Sequence, residues 1–221
     1  MKPVLMFDND GTLVDTPELI KASFDHAFSV YMPEKVLTEE ERDSFLGPTL
    51  EDSFRKYFPE DMVGTLVKCY KEHNDTILPR VKAYPGVIAC LKKWHEEGYP
   101  MAIVSTKHTP TLIRGFEYAG IDPAWFGVII GGEQITRPKP DPEGLFLAMD
   151  AMNLPRENMV YVGDAVSDIE AGKNAGAYAI GFSDREDRRE KLREAGADAV
   201  VTDFEEIDRI VRQEDLYGKC I

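Results

Sequence analysis

The chain has 221 residues, of which 43% are apolar and 30% charged, enough for a buried core and without the low-complexity runs of a disordered or fibrous protein. Forty acidic residues against 26 basic ones leave a formal charge of −14, which argues against a broad nucleic-acid or acidic-membrane surface, because Lys and Arg clusters hold such partners. Cys69, Cys90 and Cys220 are widely spaced and form no C-x-x-C pair, so neither a disulfide framework nor a zinc ribbon is expected. With no run near the roughly 20 apolar residues of a membrane span, and too short an apolar start for a signal peptide, a cytoplasmic location is expected.

In chain order, Val4–Phe7 form an apolar run that predicts a buried strand ending where Asp8 begins. Between Pro17 and Pro79, the segments PELIKASFDHAFSVY, TEEERDSF, LEDSFRKYF and EDMVGTLVKCYKEHN carry the spacing of amphipathic helices. Thr38 and Glu41 fit a capping box, and Phe24, Phe28 and Tyr31 make one apolar stripe expected in the core of these helices. No strand pattern interrupts them, so residues 15–82 read as a helical domain inserted into an α/β domain made of residues 1–14 and 83–221. YPGVIACLKKWHEEGY then predicts a helix with Pro85 at its start and Gly98 at its stop. Strands are predicted at 101–105, 127–132, 159–163, 177–182 and 198–201. Helices alternate with them at 109–120, capped by Thr109, at 141–153, begun by Asp141 and Pro142, and at 167–176, closed by Gly176. Two more follow, at 185–196 and 204–213. Such alternation implies an α/β fold with a doubly wound parallel sheet covered on both faces.

In an open parallel sheet the working crevice lies beyond the carboxyl ends of the strands. Asp8 follows the first strand, Ser105 ends the next, Asp164 follows VYVG, and Lys139 comes at loop distance after GVIIGG. Asp8 and Asp10 stand two positions apart before Gly11, and crowded carboxylates need a cation, a proton or a reaction to justify them. A calcium loop ending at Gly11 would need an acid at position 6 and a glutamate at 17, which are Met6 and Pro17. Together Asp8, Asp10, Asp164, Asp168, the Ser105 hydroxyl and the Lys139 ammonium match phosphoryl transfer. Carboxylates without a neighbouring His or Cys favour Mg²⁺ over zinc. Asp8 would attack phosphorus, Asp10 would serve as acid and then base, and Gly11 would let the backbone turn closely under the phosphate. Singly, each has an ordinary explanation: a turn, a helix terminus, a cap or a solvated charge. Their joint placement at successive strand ends is what favours a site.

DNDGT (8–12), VST (104–106), RPKPDP (137–142) and GDAVSD (163–168), in this order, resemble the motifs of the haloacid dehalogenase superfamily of phosphohydrolases, with a helical cap inserted after the first motif. The resemblance covers essentially the whole chain. It implies that Asp8 is the nucleophile, Asp10 the acid/base, and Ser105, with Thr106 beside it, a donor to phosphate oxygens. Lys139 is implied to neutralise the phosphate, and Asp8, Asp164 and the backbone carbonyl of Asp10 to ligate Mg²⁺. Asp168 is similar to the family's second acidic residue, which orients metal waters or the lysine. Asn9 departs from the pattern, since many relatives carry Leu or Phe there.

ELIKASF (18–24), FLGPTLEDSF (45–54), CYKEHN (69–74) and IVSTKH (103–108) carry a narrower likeness to the phosphoglycolate phosphatase branch and to bacterial inorganic pyrophosphatases within it. Gly47 and Thr49, around Pro48, sit in an interhelical turn expected to face the crevice and touch substrate. Lys107 is expected to reach the same space, while Arg55 and Lys71 read first as solvated helix faces and only then as anion contacts. The expected function is a Mg²⁺-dependent phosphohydrolase working through an aspartyl phosphate on a small phosphorylated metabolite, such as phosphoglycolate, or on inorganic pyrophosphate. A phosphosugar mutase of the β-phosphoglucomutase type would use the same core. A phosphoaccepting signalling domain shares the acids and the lysine, but Asp10 and the helical insertion argue against it. The expected partner is a small phosphorylated substrate, with no nucleic acid and no membrane, in a monomer or weak homodimer.

Overall fold

Val4–Phe7 (β1) is buried at all four positions, as a continuous apolar run needs when both faces are covered. In the computed structural model, which describes residues 2–213, β1 lies inside a six-stranded sheet with Met101–Val104 (β2), Val128–Ile130 (β3), Met159–Gly163 (β4), Tyr178–Phe182 (β5) and Ala199–Val201 (β6). The order is β3-β2-β1-β4-β5-β6, and every neighbouring pair is parallel. Phe7 stands level with Ile103 of β2 and Val162 of β4, so three strands end together and release their loops on one edge. After β3 the chain crosses over β1 to start β4, which makes this edge the switch point of the sheet.

Ten α-helices lie among the described residues: Pro17–Tyr31 (α1), Glu39–Asp43 (α2), Leu50–Arg55 (α3), Glu60–Ile77 (α4), Val87–Glu96 (α5), Thr109–Ala119 (α6), Glu143–Ala151 (α7), Val166–Ala175 (α8), Glu186–Glu194 (α9) and Phe204–Val211 (α10). Side chains alternate across a strand, so Leu5 and Phe7 meet one layer and Val4 and Met6 the other. The first layer holds Leu91 and Trp94 of α5, Phe116 of α6 and Ile207 of α10. The second holds Leu145 and Met149 of α7 and Ala171 of α8. Trp94 stacks on Phe7 with ring centroids 5.7 Å apart, and its indole N–H donates to Asp208 Oδ1 at 2.8 Å, so the one polar atom of a buried ring is satisfied.

Helices α1–α4 have a core of their own, in which the Phe24 ring meets Phe45, Phe54 and Tyr70 at 4.2, 5.0 and 4.9 Å. Phe28 is buried there, but Tyr31, the last residue of α1, is 36% exposed, so the apolar stripe ends one turn earlier than its spacing predicts. Both bonds of the Thr38–Glu41 capping box form, at 3.2 and 2.8 Å. Two other helix starts differ from expectation. Helix α5 begins at Val87 after Gly86, whose φ of +83° suits a left-handed turn, and this leaves Pro85 outside. Thr109 is the first helical residue of α6 and not its cap, because the carboxylate of Glu133 accepts its N–H at 3.1 Å.

The chain leaves the sheet and returns to it side by side. Val14 bridges Ala83 in antiparallel fashion, Asp15 N donates to the Lys82 carbonyl at 2.9 Å, and Tyr84 N donates to the Leu13 carbonyl at 3.1 Å. Cys69 and Cys90 are free thiols, and Cys220 lies outside the described residues. Among the described residues no helix is long and apolar enough to cross a membrane.

Candidate active site

The loop after β1 is tied at both ends. Asp8 N donates to the Val162 carbonyl at 2.9 Å, which extends the ladder one residue past the strand, and Gly11 N donates to the Val14 carbonyl at 2.9 Å. Asn9 is buried beneath the loop, and its Oδ1 has no hydrogen-bond partner among the described residues. Gly11 has φ +79°, and a Cβ there would fall 2.2 Å from Asp164 Oδ2. The glycine therefore admits the Asp164 carboxylate directly against the backbone, a neighbour that the sequence reading of Gly11 did not name.

Lys139 joins the loops of three strands. Its Nζ donates to Asp8 Oδ1 at 3.0 Å and to Asp168 Oδ1 at 2.5 Å. Asp168 sits in the first turn of α8, where its Oδ2 accepts the Ala165 N–H at 3.0 Å. Gly163 makes room for it: a Cβ at Gly163 would lie 2.3 Å from the Asp168 Cβ. The Tyr161 hydroxyl completes the cluster, accepting from Lys139 at 3.4 Å and lying 3.0 Å from the Val104 carbonyl and 3.2 Å from Asp168 Oδ1.

Asp10 points elsewhere. Both its oxygens accept from Lys107 Nζ, at 2.8 and 3.1 Å, so the second aspartate of the pair has a cation of its own. Asp164 receives the Thr12 hydroxyl at 3.3 Å on one oxygen and Arg188 at 3.3 Å on the other. Asp8, Asp164 and Asp168 each offer a carboxylate oxygen within 4.8 Å of the others, a donor set of hard oxygens suited to Mg²⁺.

Burial and crowding set the charges. Burial pushes the Asp8 carboxyl up to about 6; the Asp168 and Asp10 charges add to this, and Lys139 works against it. Burial likewise lifts Asp164 well above the usual carboxylate range, with the Asp168 and Asp8 charges adding to the effect. For Lys139 burial disfavours the ammonium, but the Asp168 and Asp8 carboxylates outweigh it and hold the lysine charged. Acids displaced in this direction are the ones a bound cation would relieve, so the residues fit the expected metal.

These groups open into a cavity of about 450 Å³ between the strand ends and the helical layer. Asp8, Asp10, Gly11, Ser105, Thr106, Lys139, Asp164 and Asp168 all line it from the sheet side, and Lys107 with them. Gly47, Thr49, Tyr70 and Lys71 line it from the helices. Ser105 Oγ accepts the Lys107 N–H at 3.3 Å. The Thr49 hydroxyl is engaged as the cap of α3, accepting Asp52 N at 3.1 Å and donating to Asp52 Oδ2 at 2.8 Å. Arg55 is held away by Glu60 at 2.8 Å and Asp52 at 3.0 Å, as a solvated helix face would be. Sequence reading missed Tyr161 and Arg188. A tyrosine inside MVYVG reads as core, and one arginine in REDRREKLREAG is not distinguished from its neighbours.

The chain has recognisable relatives. The sequence profile of the haloacid dehalogenase-like hydrolases matches residues 5–182. A protein of Listeria monocytogenes serotype 4b named pyrophosphatase PpaX is 37% identical over 215 residues, which cover 96% of this chain and 97% of the relative. The PpaX of Halalkalibacterium halodurans is 39% identical over 186 residues, covering 82% and 84%. Among solved structures, a haloacid dehalogenase-like family hydrolase from Streptococcus pneumoniae shares the fold with a TM-score of 0.82 at 22% identity, covering 96% of this chain and 99% of that one. With a profile match running from β1 through β5, and relatives alike over nearly their full length, the chain belongs to the haloacid dehalogenase-like hydrolases.

Proposed function

We propose that the protein is a Mg²⁺-dependent phosphohydrolase that forms an aspartyl phosphate on Asp8, with inorganic pyrophosphate as its substrate and phosphoglycolate as the nearest competitor. The observation that carries this reading is Lys139, one buried ammonium held between Asp8 and Asp168 at the mouth of the sheet. The names of the PpaX relatives favour pyrophosphate over a phosphomonoester.

Asp8, Asp164 and the backbone carbonyl of Asp10 would hold the metal ion, which would neutralise phosphoryl oxygens. The Asp8 carboxylate attacks phosphorus, and the electron pair of the breaking P–O bond goes to the leaving oxygen. Asp10 delivers a proton to that oxygen and later takes one from the water that hydrolyses the acyl phosphate, a contribution of roughly 10²- to 10⁴-fold. Ser105 and Lys139 supply donors to the phosphoryl group, and Asp168 and Tyr161 fix the lysine in place. Helices α1–α4 act as the cap over the cavity, excluding bulk water while the first bond breaks.

The test is phosphate release from pyrophosphate, phosphoglycolate and hexose phosphates, with and without Mg²⁺. Wild-type enzyme is expected to release phosphate fastest from pyrophosphate, Asp8→Asn to lose turnover while keeping its fold, and Asp10→Asn to slow both half-reactions. Turnover by Asp8→Asn, or trapped phosphate on another side chain, would overturn the assignment.

A further inference from the structure

Ion pairs run without a break from the helical layer to Asp164. Lys21 on α1 is 1% exposed and lies 2.5 Å from Glu39 and 2.7 Å from Asp43, at either end of α2. Asp43 reaches across to the start of α9, where Arg185, just before the helix, stands 3.2 Å and Arg188 Nη2 3.8 Å from its carboxylate. Arg188 turns its other arm, Nη1, to Asp164 Oδ2 at 3.3 Å. One guanidinium thus spans a carboxylate of the helical layer and a carboxylate of the acidic cluster. Its side chain is only 16% exposed, so water screens neither contact fully.

We infer that Arg188 is a positioning residue that sets the divalent-cation affinity of Asp164, and that Asp43 limits how strongly it does so. The inference rests on the reading of Asp164 as a metal ligand given above. Arg188 and a metal ion would draw on the same Asp164 carboxylate, and their like charges repel across a poorly screened gap. Asp43, anchored by Lys21 and Arg185, occupies the Nη2 arm and offsets part of the guanidinium charge. Without Arg188 the cation meets a freer Asp164. Without the Asp43 charge, Arg188 turns wholly toward Asp164 and the cation is opposed more strongly. Asp43 belongs to the helical layer and Arg188 to the sheet layer, so metal affinity and the seating of one layer on the other are thermodynamically linked.

The experiment is calorimetric titration of Mg²⁺ into the full chain without substrate. Wild type, Asp164→Asn, Arg188→Met, Arg188→Lys, Asp43→Asn and the Asp43→Asn/Arg188→Met double variant are compared, each first shown to be folded by circular dichroism. Arg188→Met is expected to bind about tenfold more tightly, at the lower end of the range by which outer partners tune metal sites, and Asp43→Asn, which changes only Arg188's balance, roughly threefold more weakly. Arg188→Lys, which keeps the charge but loses the fork, should fall between wild type and Arg188→Met, and the double variant should follow Arg188→Met. Equal affinity in Arg188→Met and wild type, or a double variant that follows Asp43→Asn, sinks the inference alone. Undiminished binding by Asp164→Asn, or none by wild type, sinks the metal reading and the inference with it.

Discussion

A methyl group on Gly11 would meet two obstacles, a φ of +79° and the Asp164 carboxylate 2.2 Å away. The left-handed backbone alone costs an alanine about 1 kcal/mol. Gly11→Ala is therefore expected to lower stability by about 1–2 kcal/mol in urea unfolding and, by pushing Asp164 aside, to weaken Mg²⁺ binding; unchanged Mg²⁺ affinity would show that the loop does not fix Asp164. Asp8, Ser105 and Asp164 were legible in the sequence because each stands where an apolar strand run stops. The pairing of Asp10 with Lys107 was only half legible, since the lysine was assigned to the right space but not to its partner. Arg188 was not legible at all. In a helix dense with charge, the choice of which residue turns inward depends on the acids of another element, here Asp43 and Asp164.

Helices α5 and α10 are fastened to each other through Asp208, which accepts from Lys93 at 2.8 Å, Trp94 at 2.8 Å and Arg212 at 2.9 Å. Burial works against the carboxylate, but the bonds from Arg212, Lys93 and Trp94 prevail and lower it from 3.8 to about 2. A group whose folded value is depressed stabilises the protein fully above its unfolded value and loses that contribution as the pH falls through the folded one. Asp208→Asn should accordingly cost about 2 kcal/mol at pH 7 and roughly half as much at pH 3, read from urea unfolding. A cost independent of pH would refute the ionic account. Helix boundaries followed the same logic of local against distant cause. The Thr38–Glu41 box is made within four residues and was visible in sequence, whereas the start of α6 is satisfied by Glu133, which no local pattern could supply.

For the molecule as a whole, the buried acids would make the proposed metal binding inseparable from pH. Asp8, raised to about 6, keeps a proton between about 3.8 and about 6 that the unfolded chain has already released. Its contribution to the metal-free fold is thus complete below about 3.8 and is lost as the pH rises through about 6. Mg²⁺ prefers the ionised carboxylate, so its effect on thermal unfolding should grow with pH. A rise in melting temperature of roughly 5 °C is expected at pH 7.5 with a hundredfold excess over Kd, and a much smaller one at pH 5. Equal shifts at both values would remove Asp8 from the metal site. At this scale the alternation of strands and helices was enough to announce a doubly wound parallel sheet. It did not say which helices cover which face, because that depends on the path of each crossover and not on the composition of any segment.

The paired crossing at Leu13–Asp15 and Lys82–Tyr84 carries one more consequence. Two lengths of backbone stitched together cannot slide past each other without tearing their stitches, so the chain enters and leaves the helical layer at one fixed place. Everything threaded between the stitches is joined covalently to the sheet only there, and is tied to it further by the ion pairs of Asp43 with Arg185 and Arg188. On the proposed function, the helices that close over the cavity and the acids that attack the phosphate would then belong to separate stretches of polypeptide, coupled through Arg188.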